Sequence, residues 1–403
     1  MSIFSRGILA ALPLFAAALL SCAGNLPGLR EPANLRTVLE QVMPDAMSDG
    51  IVKLAVLINE RPGENAWQFI GAAVSEGRSM GFIVDAFALS AENETERFED
   101  LAGGIAAADY DGLVFVNGEM DFAYDILKPI SDNGIKIVSF EALAFRQGRS
   151  VPGLIATFQD DYGLARLSLE TLIRNTSGEN GRPPRVLRIV TERGVTFMDR
   201  HDWEFNEFVR GGRIIEAGRI VLGSTENARA SAMTAVFQTL PDFPAGSVDA
   251  LWVPWSEFAV GAITAIEQSG RQDIKLFSTG ISSESMRFMR RNRNIWPATS
   301  VVDPALAGTV TMRLLAVSLA GEDASLKENS FYFAPQPVMT SDLNRAVNVS
   351  NLSVMLPDWS GSDGLFDGYG WMLDLKEAAA RSSLISVFAS WPGLPPPEEG
   401  AGR

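Results

Sequence analysis

The sequence predicts an α/β fold of two doubly wound parallel sheets, and three observations predict it. Apolar runs of about five residues alternate with longer stretches of helical periodicity. The apolar runs are continuous rather than alternating with polar residues, as in strands covered by helices on both faces. The alternation occurs in two successive series of similar size, which implies two lobes with a cleft between them.

Length and composition agree with this class. The chain has 403 residues, 46% hydrophobic and 21% charged, enough for about two domains with their own cores. Its 36 glycines and 21 prolines are spread along the chain and suit many short loops. A net charge of −15 opposes sequence-independent binding of nucleic acid, which needs Lys and Arg to neutralise phosphates.

The N-terminus reads as a targeting segment. Arg6 supplies a positive start, and Ile8 to Leu20 is apolar but short for a membrane span. Leu19-Leu20-Ser21-Cys22 then resembles a bacterial lipobox, so residues 1–22 are expected to be a lipoprotein signal peptide with Cys22 lipidated. Cys22 is the only cysteine, which excludes an internal disulfide framework and a Cys-based metal cluster. The mature protein is expected in the periplasm, held to a membrane by its N-terminal lipid. Residues 23–50 read as a tether with a short helical patch at Leu35 to Val42.

The first series follows. Strands are expected at Leu54–Ile58, Phe82–Phe87, Gly112–Val116 and Lys136–Phe140, with helices at Asn65–Met80, Asn93–Ala108 and Phe122–Asn133 between them. Asn93 and Glu96 have the spacing of a capping box, and Gly81 and Gly134 stand where helices end. The second series has helices at Asp160–Arg174, Arg200–Arg210, Glu226–Leu240, Ser256–Ser269, Ser283–Asn292 and Pro304–Ala320. Its strands are expected at Arg185–Val190, Ile214–Val221, Ala250–Val253, Ile274–Ser278 and Ala298–Val302. Phe331–Met339 is the last strand candidate. Beyond it, Met372–Phe388 has the pattern of an amphipathic helix, and the Pro-rich end reads as a disordered tail.

Signs of catalysis are few. The chain has one histidine and no nucleophile-elbow, P-loop or dinucleotide-binding motif. No enzymatic activity, cofactor or metal site is expected.

Several segments, in order, are similar to periplasmic sugar-binding proteins of the ribose-binding type, whose fold is shared by lac-repressor-type effector domains. They are Gln159-Asp160-Asp161-Tyr162-Gly163-Leu164-Ala165-Arg166, the helix from Phe258 to Ile266 with Gly261, Gly270-Arg271-Gln272-Asp273-Ile274-Lys275, Val302-Asp303-Pro304 with Gly308, and Met339-Thr340-Ser341-Asp342-Leu343. The resemblance covers roughly residues 51–345. It implies two Rossmann-like lobes joined by a three-crossover hinge, the type I periplasmic binding protein arrangement. Residues 51–157 plus 303–330 would form the N-terminal lobe and 158–302 plus 331–345 the C-terminal lobe, with 346–403 a partly disordered extension.

The resemblance also implies where a ligand would sit, and there the sequence departs from the family. The first loop offers Asn59, Asn65 and Trp67. Glu141-Ala142 stands where Asp-Arg is usual. His201, preceded by Arg200, occupies an arginine position, and Trp255-Ser256 replaces Asn-Asp. At the hinge Val302 replaces Gln, leaving Asp303 as the nearest polar group, although Asp followed by Pro304 is also an ordinary helix start. Such a pocket has aromatic faces and both charge signs, which suits a sugar derivative, a nucleoside-like ring or another polar or cationic molecule. The expected function is that of a monomeric, lipid-anchored solute-binding protein serving an ABC permease. The alternative is a sensor of the same fold that presents its ligand to a membrane histidine kinase.

Overall fold

The computed structural model describes residues 39, 41–47, 51–59, 63–88, 94–118, 120–176, 181–192, 196–223, 225, 227–326, 328–344, 347, 349, 352 and 364–381. The lipobox, Cys22 and the Asn93 half of the expected capping box lie outside them.

The strands are β1 (Lys53–Ile58), β2 (Ile83–Ala88), β3 (Gly112–Gly118), β4 (Lys136–Ala142), β5 (Phe145–Arg146), β6 (Arg149–Ser150), β7 (Ile155–Gln159), β8 (Arg185–Thr191), β9 (Ile215–Leu222), β10 (Ala250–Val253), β11 (Lys275–Thr279), β12 (Ala298–Val301), β13 (Ser330–Phe333) and β14 (Gln336–Met339). The helices are α1 (Glu64–Ser79), α2 (Glu94–Ala107), α3 (Met120–Asp132), α4 (Asp161–Thr176), α5 (Thr196–Arg210), α6 (Ala228–Thr239), α7 (Ser256–Gln268), α8 (Ser283–Arg291), α9 (Pro304–Leu319) and α10 (Trp371–Arg381).

Two six-stranded sheets carry the molecule, ordered β13-β7-β4-β3-β1-β2 and β14-β12-β11-β10-β8-β9. Numbered within its own series, each sheet has the order 2-1-3-4-5-6, with its switch point between the first and third strands. All the pairings are parallel except β12 with β14 and the small β5–β6 hairpin. Ligands of open α/β sheets bind outside the carboxyl ends of strands, beside such switch points. Asn59 lies at one, its N–H donating to the Val116 carbonyl oxygen at 2.9 Å across the β1–β3 junction. Trp255 follows β10 at the other.

The continuous apolar runs have the cause expected of them. In β1, Leu54, Val56 and Ile58 face the core beneath α1 and α9, while Ala55 and Leu57 face the core that holds Phe98 of α2 and Leu127 of α3. In β10, Leu251 and Val253 alternate in the same way with Ala250 and Trp252. A strand buried on both faces favours apolar residues, and a polar one there needs a hydrogen-bond partner, as Ser278 of β11 has in Thr299 of β12.

The chain passes between the lobes three times: from β7 into α4, from β12 into α9, and from β13 to β14. The last passage corrects the single strand expected over Phe331–Met339. It is two strands in different sheets, separated by Ala334 and Pro335, and Pro335 has no N–H to give to a ladder. The sequence reading also omitted β7, a five-residue strand immediately before the first crossover, and the β5–β6 hairpin. That hairpin turns on Gln147 and Gly148, both at positive φ, as a two-residue primed turn requires. Gly81 and Gly134 take the left-handed conformation, at φ 85° and 86°, just beyond α1 and α3.

The ends of the described chain converge on the first lobe. Leu39, Met43 and Met47 are buried together with Met372, Leu375 and Ala379 of α10. Leu39, Met43 and Met47, in the stretch expected to be a tether, are therefore part of a core. Glu76 of α1 fixes α10 by accepting from Lys376 Nζ at 2.5 Å and from Arg313 Nε of α9 at 2.6 Å. α10 is described as far as Arg381; the rest of the helix expected to reach Phe388 lies outside the described residues.

Candidate functional site

At the carboxyl ends of β3 and β4, two residues take left-handed backbone conformations that side chains other than glycine rarely adopt. Asn117 has φ 60° and Glu141 φ 53°. They lie side by side, between the Val116–Phe140 and Gly118–Ala142 pairs of the ladder. Such conformations cost about 1–3 kcal/mol each and persist where the surroundings over-determine them. Around Glu141 they do. The Phe140 ring stacks on Phe69 with centroids 4.4 Å apart and lies 6.1 Å from Phe333. Glu141 Oε1 accepts the Gln159 N–H at 2.5 Å, at the end of β7.

That bond leads into the first crossover. Asp160 caps α4, its Oδ1 accepting the Gly163 N–H at 2.8 Å. A Cβ at Gly163 would stand 2.2 Å from the other carboxylate oxygen, so the cap requires glycine there. Asp161, the buried first residue of α4, accepts from Arg200 Nη1 of α5 at 2.8 Å. Burial raises the Glu141 pKa to about 7; the Gln159 N–H and Arg200 oppose that rise, and Asp161 adds to it. Burial raises Asp161 as well, against the pull of Arg200. Glu141 is thus partly protonated near neutral pH, able either to accept from or donate to a hydroxyl.

Of the residues expected to touch a ligand, Glu141 and Arg200 come together, with Asp161 between them. Trp67 is half-buried in the first turn of α1, packed on the first-lobe core. Asn65, two residues before it, is exposed, and Asn59 is half-buried. Trp255 is half-buried at the N-cap position of α7, edge-on to Phe258 with centroids 5.3 Å apart.

His201 is a correction. It is 1% exposed, inside the second lobe against Trp252 and Phe197. α5 begins at Thr196 and not at Arg200, so His201 lies in its second turn on the inward face. Neither ring nitrogen closes a hydrogen bond, and the Pro254 carbonyl nearby only partly offsets the burial that pushes the imidazole down to about 4. The ring stays neutral and belongs to the core. Asp303 is likewise buried: Oδ1 caps α9 by accepting the Ala305 N–H at 2.9 Å, and Oδ2 has no partner. Its carboxyl is raised by burial.

Asp161 and Asn117 were the omissions. Asp161 stands inside the quoted Gln159–Arg166 motif, which carries no mark of its partner Arg200. Nothing in the sequence marked Asn117, because its distinction is a backbone angle. Among the described residues no three His, Cys, Asp or Glu side chains are placed to hold a metal ion, and no helix is long and apolar enough to cross a membrane.

No curated protein matches the chain. Among solved structures, it is similar to a sugar ABC transporter protein from Yersinia enterocolitica, at 28% identity and TM-score 0.67, over 84% of this chain and 98% of that one. It shares the fold of a 5-methylthioribose transporter solute-binding protein from Thermotoga lettingae, at 22% identity and TM-score 0.65, over 81% of this chain and 97% of that one. A periplasmic ribose ABC transporter protein from Conexibacter woesei has the fold at 15% identity and TM-score 0.62, over 74% and 94%. The family model described as a periplasmic binding protein domain matches residues 56–323, so the chain belongs to the periplasmic binding protein domain family.

Proposed function

We propose that the protein captures a sugar or sugar-like molecule between its two lobes in the periplasm and delivers it to an ABC permease, tethered through a lipid on Cys22. The observation that carries this reading is the polar cluster of Glu141, Asp161 and Arg200, which spans the first crossover at the carboxyl ends of the first sheet. A group reaching it meets a carboxyl from one lobe and an Asp–Arg pair from the other. Interactions that bridge lobes exist only when the lobes are closed, so a ligand making them shifts the population toward the closed form. The likeness to the Yersinia sugar transporter protein supports the substrate class. The half-buried Trp67 and Trp255 supply flat apolar faces of the kind that pyranose and furanose rings stack on.

A thermal-shift screen of sugars, polyols, nucleosides and amines tests the reading. A ligand at a hundred times its Kd stabilises the native protein by about 2.7 kcal/mol. With the best hit, Glu141→Ala and Trp67→Ala should each weaken affinity at least tenfold in calorimetric titration. A screen without a selective hit, or a hit whose affinity both substitutions leave unchanged, sinks the cleft assignment. Loss of labelled-palmitate incorporation in Cys22→Ser tests the anchor separately.

A further inference from the structure

The lobes also meet away from the polar cluster. Glu64, the first residue of α1, sends its carboxylate to Ser283, the first residue of α8 in the opposite lobe. Oε2 accepts the Ser283 backbone N–H at 2.8 Å, and Oε1 accepts the Ser283 hydroxyl. Both residues are half-buried.

The contact has a physical cause on each side. The start of α8 is already half satisfied by a capping box: the Ser282 hydroxyl accepts the Ser285 N–H at 3.1 Å, and the Ser285 hydroxyl accepts the Ser282 N–H at 2.7 Å. The Ser283 N–H is one of the donors that a helix start leaves without an intrahelical partner. Glu64 fills it with a charged acceptor. The same carboxylate stands at the N-terminus of its own helix, so the partial positive ends of two helices from opposite lobes converge on one negative charge. Opening the lobes returns α8 to water and leaves Glu64 with only α1.

We infer that Glu64 is a closing latch, a positioning residue whose bonds to Ser283 hold the lobes together independently of contacts made by a ligand. Closure then has an intrinsic contribution to which captured solute adds, so this residue sets how much binding free energy the ligand must spend on moving the lobes. Two charge-assisted bonds are enough to change the closed-to-open ratio by tenfold or more.

Small-angle scattering of the purified protein without added ligand reads the lobe equilibrium directly. Glu64→Ala is expected to shift the population toward the open form, by about tenfold in the ratio. Ser283→Ala, which keeps the backbone donor, should shift it less, and the double variant should open no further than Glu64→Ala alone. Ser75→Ala, at an exposed position of the same helix, should not move it. The unfolding midpoint separates the latch from a role in supporting α1: a structural role lowers the midpoint and leaves the scattering curve in place. An unchanged curve in Glu64→Ala, or additive opening in the double variant, overturns the latch. The inference rests on two-lobe capture only for its purpose. An unsuccessful ligand screen with a Glu64-dependent scattering shift would retain the latch and reject the capture reading.

Discussion

Gly308→Ala is expected to lower the melting midpoint by roughly 6–12 °C, the effect of about 3 kcal/mol of overpacking in a domain of this size. Alanine is normally the better helix residue, so the sign depends entirely on packing. A Cβ at 308 would stand 2.2 Å from the Phe69 carbonyl oxygen and 3.1 Å from the Ala73 nitrogen, both backbone atoms of α1. Backbone in the middle of a helix cannot step aside, so α9 must move away from α1 as a unit. That movement would open the first-lobe core and displace Glu64 and Trp67, which α1 carries. The second lobe repeats the arrangement at Gly261, where a Cβ would lie 2.1 Å from the Arg229 carbonyl oxygen of α6. Gly261→Ala should therefore cost a similar amount. Gly103→Ala supplies the opposite sign: nothing lies within 4 Å of its Cβ position, and stability should rise by about 0.5–1 kcal/mol from helix propensity alone. Scanning calorimetry of the three variants checks the argument. Gly308→Ala melting with the wild type would show that the helices are not in backbone contact.

The pH dependence of stability should change shape, in opposite directions, in Glu141→Gln and His201→Phe. The Glu141 carboxyl goes from 4.5 to about 7 on folding. Between those values the unfolded chain has released a proton that the folded one keeps, so stability falls as pH rises. The His201 imidazole goes from 6.5 to about 4. Between those values the unfolded chain binds the extra proton, so stability rises with pH. Each contribution is about 3 kcal/mol at full development, and from pH 4.5 to 6.5 the two oppose one another. Asp161 and Asp303, also raised by burial, share the sign of Glu141 but remain in both variants. Relative to wild type, Glu141→Gln should gain a rising component, and His201→Phe, which keeps an aromatic ring against Trp252, a falling one. Urea unfolding at pH 4.5, 5.5, 6.5 and 7.5 measures both. Profiles parallel to the wild type would mean that neither group is buried as described.

Much of the fold was legible because it is written in local periodicity. Doubly covered strands such as Leu54–Ile58 read as continuous apolar runs, and Gly81 and Gly134 end helices for a backbone reason that one residue reveals. Gly163, Gly261 and Gly308, noticed as parts of motifs, have their cause in close approach to Asp160, Arg229 and Phe69. Legibility failed where an element is short or where partners decide it. β7 has five residues. The run from Phe331 to Met339 is apolar enough for one strand, and only the pairing of its halves with β7 and β12 divides it between sheets. His201 was a site candidate because the resemblance put it at an arginine position, but α5 starts at Thr196 and turns that side chain inward, which only the packing of α5 shows.

By itself, the sequence determined the class of fold, the two series and the order of the longer strands and helices. Those features depend on burial patterns within ten or twenty residues, which any reading of the chain contains. Tertiary structure alone decided which polar groups meet. Glu141 reaches Gln159, Asp161 finds Arg200, and Glu64 finds Ser283 across 219 residues of chain. A carboxylate in a sequence carries no mark of its partner, because that partner is set by how two sheets and three crossovers bring distant strand ends and helix starts to one place.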